Sequence, residues 1–287
     1  TSQGRPASIV RETKQADQQE DKKQAALEPA PPKTKAGLVP EGRKAGAIDF
    51  GRYHALVIGN NAYKFMKPLK TAVGDAQSVT DLLTKTYGFK VTTLIDGTRD
   101  EVIEAMDRLR ATLTEHDNLL VYYAGHGVLD PGSGRGYWVP IDGREDTRSR
   151  WIEITTVTDT LKALNAKHVM LVADSCYSGV LVRDLVVTLR SGEERDSYLS
   201  RLAKKRSRTV LTSGGLEPVM DSGGGGHSVF AKAFLEALAE NRDEVVEGQT
   251  LFTTVRRSVL LGADQTPEYS DVRNAGHEGG DFLFVRK

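Results

Sequence analysis

One histidine and one cysteine stand in matching contexts. In VYYAGHGVLD (121–130) an apolar run ends in Gly125-His126-Gly127, and in LVADSCYSGV (171–180) another ends in Asp174-Ser175-Cys176. Cys176 is the only cysteine, which excludes an intrachain disulfide framework and leaves a buried structural thiol, an intermolecular partner or a nucleophile. A thiol attacks carbonyl carbon at neutral pH when a base within hydrogen-bond reach takes its proton and holds the thiolate. Gly125, Gly127 and Gly179 would let substrate backbone approach closely, and backbone N–H groups near His126 and at Cys176 could cradle an oxyanion. A lone cysteine is more often a buried small hydrophobe. It is the second motif, with an imidazole at an equivalent place, that turns the reading toward a Cys–His pair.

The elements that must position the pair are short apolar runs alternating with helical patterns. YHALVIGN (53–60), VTTLID (91–96), NLLVYYAG (118–125), HVMLVADS (168–175), TVLTSG (209–214) and DFLFVR (281–286) read as strands by length, β-branching and flanking Gly or Asp. Between them, Val102, Met106, Leu109 and Leu113 share one helical face, as do Phe230, Phe234 and Leu238, and Leu251, Val255 and Val259. Nearly continuous apolar strands separated by amphipathic helices predict an α/β domain with about six mainly parallel strands and helices on both faces. Ligands of such sheets bind outside the carboxyl ends of the strands, and His126 and Cys176 each follow a strand. If those strands are neighbours, imidazole and thiol emerge at the same rim.

Residues 1–48 are rich in Gln, Lys, Glu, Ala and Pro and cannot bury enough surface to offset ordering entropy, so they read as a disordered linker or stalk, with a short helix near 12–27. The remaining 49–287 form the folded domain. Lys plus Arg and Asp plus Glu number 39 each, so no global field recruits nucleic acid or an anionic membrane surface. No apolar run is long enough to span a bilayer. The compartment is left open: an intracellular location is the default, and because the chain begins at Thr1 a targeting segment removed earlier is compatible with the sequence. The histidines show no metal-ligand spacing, there is no calcium-loop pattern and no GxSxG elbow. The glycine run in DSGGGGHSVF lacks the lysine of a phosphate loop and reads as a flexible lead into a capped helix.

YYAGHG and DSCYSG, fifty residues apart from His126 to Cys176, together with LKTAVGDAQSVTDLL and LTSGGLEPV, resemble the motifs of the caspase-like cysteine peptidases (peptidase C14), specifically the metacaspases and their bacterial relatives of the orthocaspase type. The resemblance covers roughly residues 52–286. It implies a caspase-like three-layer sandwich and an endopeptidase in which His126 is the general base and Cys176 the nucleophile. The amides of Gly127 and Cys176 would then hold the oxyanion, and no third catalytic side chain is identified or demanded. It also implies a large-subunit-like part over about 49–190, a basic mobile loop over about 190–208 and a small-subunit-like part over about 209–287.

Where caspases carry QAC, this chain has Asp174-Ser175-Cys176. By the metacaspase pattern Asp174 and Asp75 line the specificity pocket, which predicts a protein or peptide substrate with Arg or Lys at the cleaved position and rejection of Asp. Asp75 has a rival role as N-cap of the helix AQSVTDLL. Ser213 borders the same pocket by analogy, with an ordinary turn serine as the rival. The charged segment 181–210, and within it the basic loop over about 190–208, is the candidate for self-cleavage. No cofactor is required, calcium activation is left open by the family, and a monomer is implied. The competing readings are a non-catalytic interaction module of the same fold, a peptidase with Asp preference, and a cysteine hydrolase acting on a non-peptide bond.

Overall fold

A computed structural model describes residues 43–45, 48–175, 195–214, 223, 225–272 and 274–287, with backbone alone at 43–45. Its centre is a sheet of β3 (Lys90–Ile95), β2 (Ile48–Gly59), β4 (Asp117–Ala124), β8 (His168–Asp174), β9 (Ser207–Thr212) and β11 (Glu268–Asp271), extended by a short β1 (Arg43–Ala45) that pairs antiparallel with the start of β2. From β3 to β9 every pairing is parallel, and β11 closes the edge antiparallel to β9. All eight residues of β4 and all seven of β8 are buried, because both faces of the sheet are covered. Leu120 and Tyr122 face one core with Met170 and Val172, while Leu119, Val121 and Tyr123 face the other with Val169 and Leu171. This two-way alternation is why these strands read as continuous apolar runs.

On the first face lie α1 (Ala72–Lys85), α4 (Arg195–Lys204), α5 (Val229–Glu240) and α6 (Gly248–Gly262); on the second lie α2 (Arg99–Thr112) and α3 (Ile154–Ala163). α2 begins as its sequence demands. The Thr98 hydroxyl accepts from the Glu101 N–H, and the Glu101 carboxylate accepts from the Thr98 N–H at 2.8 Å. A three-stranded antiparallel sheet of β5 (His126–Asp130), β6 (Arg135–Val139) and β7 (Ile152–Glu153) stands beyond the end of β4.

Four expectations are corrected. The run 281–286 does form a strand, β12 (Leu283–Val285), but it pairs with β10 (Val245–Glu247) in a separate two-stranded sheet, and the edge of the main sheet is β11. Residues 195–204 are not loop but helix α4: Leu199, Leu202 and Ala203 recur at helical spacing and are buried against the first core, an apolar stripe masked in the sequence by its charges. Arg208 is likewise core. It has no solvent exposure, and its guanidinium donates to the carbonyls of Leu161, Leu164, Ala166, Lys167 and Ser207 at 2.8–3.1 Å. Desolvation lowers its pKa to about 9, and the carbonyl cage still leaves it charged at neutral pH. β1 falls within the stretch read as a stalk, where Arg43–Ala45 pairs with β2. The proposed helix near 12–27 lies outside the described residues.

Arg208→Ala is therefore expected to lower stability by about 3 kcal/mol, because several buried carbonyls lose their donor at once. Urea unfolding should show a lower midpoint at an unchanged slope; a shift of less than about 1 kcal/mol would mean the carbonyls find other donors.

Candidate active site

The parallel register sets Ala124 of β4 opposite Asp174 of β8, and Ala173 opposite Thr212 of β9. The segments that carry His126, lead to Cys176 and carry Ser213 therefore leave the sheet side by side at its carboxyl rim. Asn60 and Asp96, which follow β2 and β3, stand at the same rim. Cys176 itself lies outside the described residues, which stop at Ser175 and resume at Arg195.

His126 is held from three sides. Its Nε2 lies 2.7 Å from the carbonyl oxygen of Lys67. A carbonyl can only accept, so Nε2 carries the proton and Nδ1 of the neutral ring keeps its lone pair. The ring leans on Tyr63, with centroids 4.6 Å apart and planes at 54°. The His126 N–H donates to the Tyr63 hydroxyl at 2.9 Å, the Tyr63 hydroxyl donates to the Val139 carbonyl at 2.9 Å, and the Tyr123 hydroxyl donates to the His126 carbonyl at 2.8 Å. Burial pushes the Tyr63 phenol up to about 12, so it remains protonated and a donor. Glycine is required at 125: a Cβ there would come within 2.7 Å of the Tyr63 hydroxyl and 2.9 Å of that of Tyr123.

The loop that presents the Lys67 carbonyl is itself tied down. Asp96, in the left-handed region at φ +49°, accepts from the N–H groups of Asn61 and Ala62 at 2.7 and 2.9 Å. The Asn61 side chain accepts from the Val73 N–H and donates to the Lys70 carbonyl. Aspartate tolerates that backbone conformation better than most residues. None of this was visible in the motifs. Every residue has a carbonyl, so nothing in the sequence marks Lys67, and Tyr63 and Tyr123 read as ordinary loop and strand aromatics.

The two acids come together through one serine. The Ser228 hydroxyl donates to Asp174 Oδ2 at 2.5 Å, and the Ser228 N–H donates to Asp75 Oδ2 at 3.2 Å. His227 Nδ1 donates to Asp75 Oδ1 at 2.5 Å. Both carboxylates are buried. Desolvation raises the pKa of Asp75, against the opposing effect of the His227 and Ser228 donors. Asp75 is not the N-cap of its helix. α1 starts at Ala72 with Thr71 as cap, because the helix extends a turn earlier than AQSVTDLL suggested, and Asp75 points into the core of the site. Ser228 is the true cap of its own helix, its hydroxyl accepting from the Ala231 N–H at 2.9 Å, a role that serine before an apolar helix announces. Ser213 is fully buried one strand from Asp174, with its N–H on the Ala173 carbonyl at 3.0 Å. The Ser213 hydroxyl has no hydrogen-bond partner among the described residues. Gly127 is buried in β5 opposite Trp138.

Among the described residues no group of three or more His, Cys, Asp or Glu side chains could hold a metal ion, and no helix is long and apolar enough to cross a membrane.

Comparison with known proteins agrees with this architecture. The family model of the caspase domain, within the C14 peptidases, matches residues 52–275. The human mucosa-associated lymphoid tissue lymphoma translocation protein 1 is 34% identical over 114 residues, 40% of this chain and 13% of that protein. Metacaspase-1A of Neurospora crassa is 26% identical over 200 residues, 64% of this chain and 43% of its own length. The chain thus spans less than half of either curated relative. Among solved structures, caspase-1 of Spodoptera frugiperda superposes with a TM-score of 0.57 at 17% identity, over 83% of this chain and 93% of that one. A Geobacter sulfurreducens protein does so with a TM-score of 0.55 at 18% identity, over 79% and 97%. At these identities the structural likeness establishes the caspase-like α/β fold and nothing finer.

Proposed function

The chain belongs to the caspase-domain family of cysteine peptidases, and from that membership we propose that it is an endopeptidase cleaving after Arg or Lys through an acyl-enzyme. The observation that carries the proposal is the state of His126. With its Nε2–H committed to the Lys67 carbonyl, Nδ1 is the free base, on a segment leaving the sheet beside the one that runs to Cys176. His126 Nδ1 takes the proton of the Cys176 thiol and the thiolate attacks the peptide carbonyl carbon. The amides of Gly127 and Cys176 receive the oxyanion. His126 then protonates the leaving amine, and water, deprotonated by the same imidazole, releases the acyl group. Lys67 takes no part as a side chain; its carbonyl orients the base.

Specificity for basic residues rests on Asp75 and Asp174, two carboxylates joined through Ser228 at the same rim. A substrate guanidinium or ammonium finds opposite charge there, and a substrate Asp would meet repulsion while buried. Self-processing remains part of the proposal, with its site between 181 and 194, outside the described residues, now that α4 and Arg208 are packed into the fold.

Matched reporter peptides ending in Arg, Lys or Asp, each with calcium and with chelator, test this directly. Cleavage after Arg and Lys alone is expected, and the calcium arm decides whether the activity depends on that ion. Cleavage after Asp alone would keep the peptidase and discard the acidic pocket.

A further inference from the structure

Asp75, which a basic substrate side chain would need to reach, is closed off. It has no solvent exposure. Its Oδ1 is held by His227 Nδ1 at 2.5 Å and its Oδ2 by the Ser228 N–H at 3.2 Å. Thr71 adds a third hydrogen bond from its side chain. Of these partners Thr71 and Ser228 are buried, and Ser228 is immobilised as well: its hydroxyl bridges to Asp174 and it caps α5. His227 is the half-exposed one, with 30% of its side chain open to solvent. It follows Gly225 and Gly226, at φ +69° and +104°, where an added Cβ would meet nothing within 4 Å. Those glycines are thus required by backbone conformation and not by lack of space. A polar side chain that covers a buried carboxylate, and hangs from two residues of wide conformational freedom, is placed to swing aside.

We infer that His227 is a plug of the acidic pocket: an internal competitor for Asp75 that the substrate's Arg or Lys side chain must displace. The inference rests on the assignment of Asp75 and Asp174 as the pocket for basic residues. The ionisable groups around the plug among the described residues are Asp75 from α1, Asp174 from the end of β8 and Tyr122 from β4, whose phenol senses both carboxylates. No Lys or Arg stands within ion-pair distance of Asp75 among the described residues. The imidazole is therefore what the incoming cation replaces, and the exchange of one donor for another makes opening cheap enough for a substrate to drive it. The plug sets the KM of basic substrates and keeps the pocket shut to weakly bound cations.

The test uses the full chain, an Arg reporter peptide and arginine amide as competing ligand. His227→Ala is expected to lower KM for the Arg peptide and the inhibition constant of arginine amide together, each by about five-fold, as for loss of one partly exposed hydrogen bond to a carboxylate. His227→Lys, a stronger competitor for Asp75, is expected to raise both. A merely structural role for His227 would instead lower kcat and the unfolding temperature in both variants without moving KM in opposite directions, and that result overturns the plug. So does an Arg-cleaving enzyme whose KM is the same in all three proteins. If none of the three cuts after Arg or binds arginine amide while the parent chain cuts after Asp, the pocket assignment fails and the plug falls with it.

Discussion

Alanine at Cys176 is expected to abolish cleavage of the Arg reporter peptide, with kcat/KM falling by at least about 10³-fold, because no other residue of the chain can form the thioester. Cys176 is the only cysteine, so no neighbouring thiol can substitute. His126→Ala is expected to fall nearly as far, since the thiol then lacks a base and the leaving amine lacks an acid. The double variant should be no slower than the worse single one: two groups that act as a unit cannot be lost twice. Unfolding midpoints measured alongside will show that the loss is chemical. A Cys176→Ala protein retaining more than about a tenth of the parental rate would sink the acyl-enzyme mechanism.

The second large effect belongs to Asp174. Its Oδ2 accepts from the Ser228 hydroxyl at 2.5 Å, and an asparagine oxygen can accept the same bond. Asp174→Asn therefore removes charge while keeping the local geometry. With one of the two carboxylates neutralised, kcat/KM for Arg and Lys peptides should fall by about 10²-fold, and rejection of neutral residues at the same position should relax. Asp174→Ala should be worse, because it also leaves the Ser228 hydroxyl without its acceptor inside the protein. Asp75→Asn is expected to cost less than Asp174→Asn, since His227 already occupies that carboxylate and the substrate gains only the difference. The check is a full profile of peptides varied at the cleaved residue. Undiminished Arg cleavage by Asp174→Asn would mean that the guanidinium is bound elsewhere.

How much of this could be read from the chain differs by residue. The site motifs were legible because each is local: an apolar strand, a tight turn of small residues, and a reactive side chain just past the strand end. Asp174, two residues before Cys176, was assigned to the pocket by the metacaspase resemblance. Asp75 was found by resemblance, and its local context favoured an N-cap that it does not form, because the start of α1 depends on how the preceding loop is anchored by Asn61 and Asp96. α4 was missed because charges outnumber its three core residues, and only the surface it covers makes that stripe decisive.

By itself the sequence determined an α/β domain with strands buried on both faces, helices of one apolar stripe each, and a Cys and a His at strand ends. These follow from periods of 2 and 3.6 residues, from turn chemistry and from the single thiol. Only the tertiary structure decided what lies across from what. The carbonyl of Lys67 meets His126 from 59 residues away, and His227 and Ser228 reach Asp75 from 152 and 153. β12 leaves the main sheet to pair with β10, while β11 takes the edge. Local pattern cannot settle such pairings, because a carbonyl, a buried carboxylate or a strand edge is satisfied by any donor that the packing of distant elements brings within reach. The imidazole of the candidate dyad was legible from its neighbours; the tautomer that makes it a base was decided by the fold.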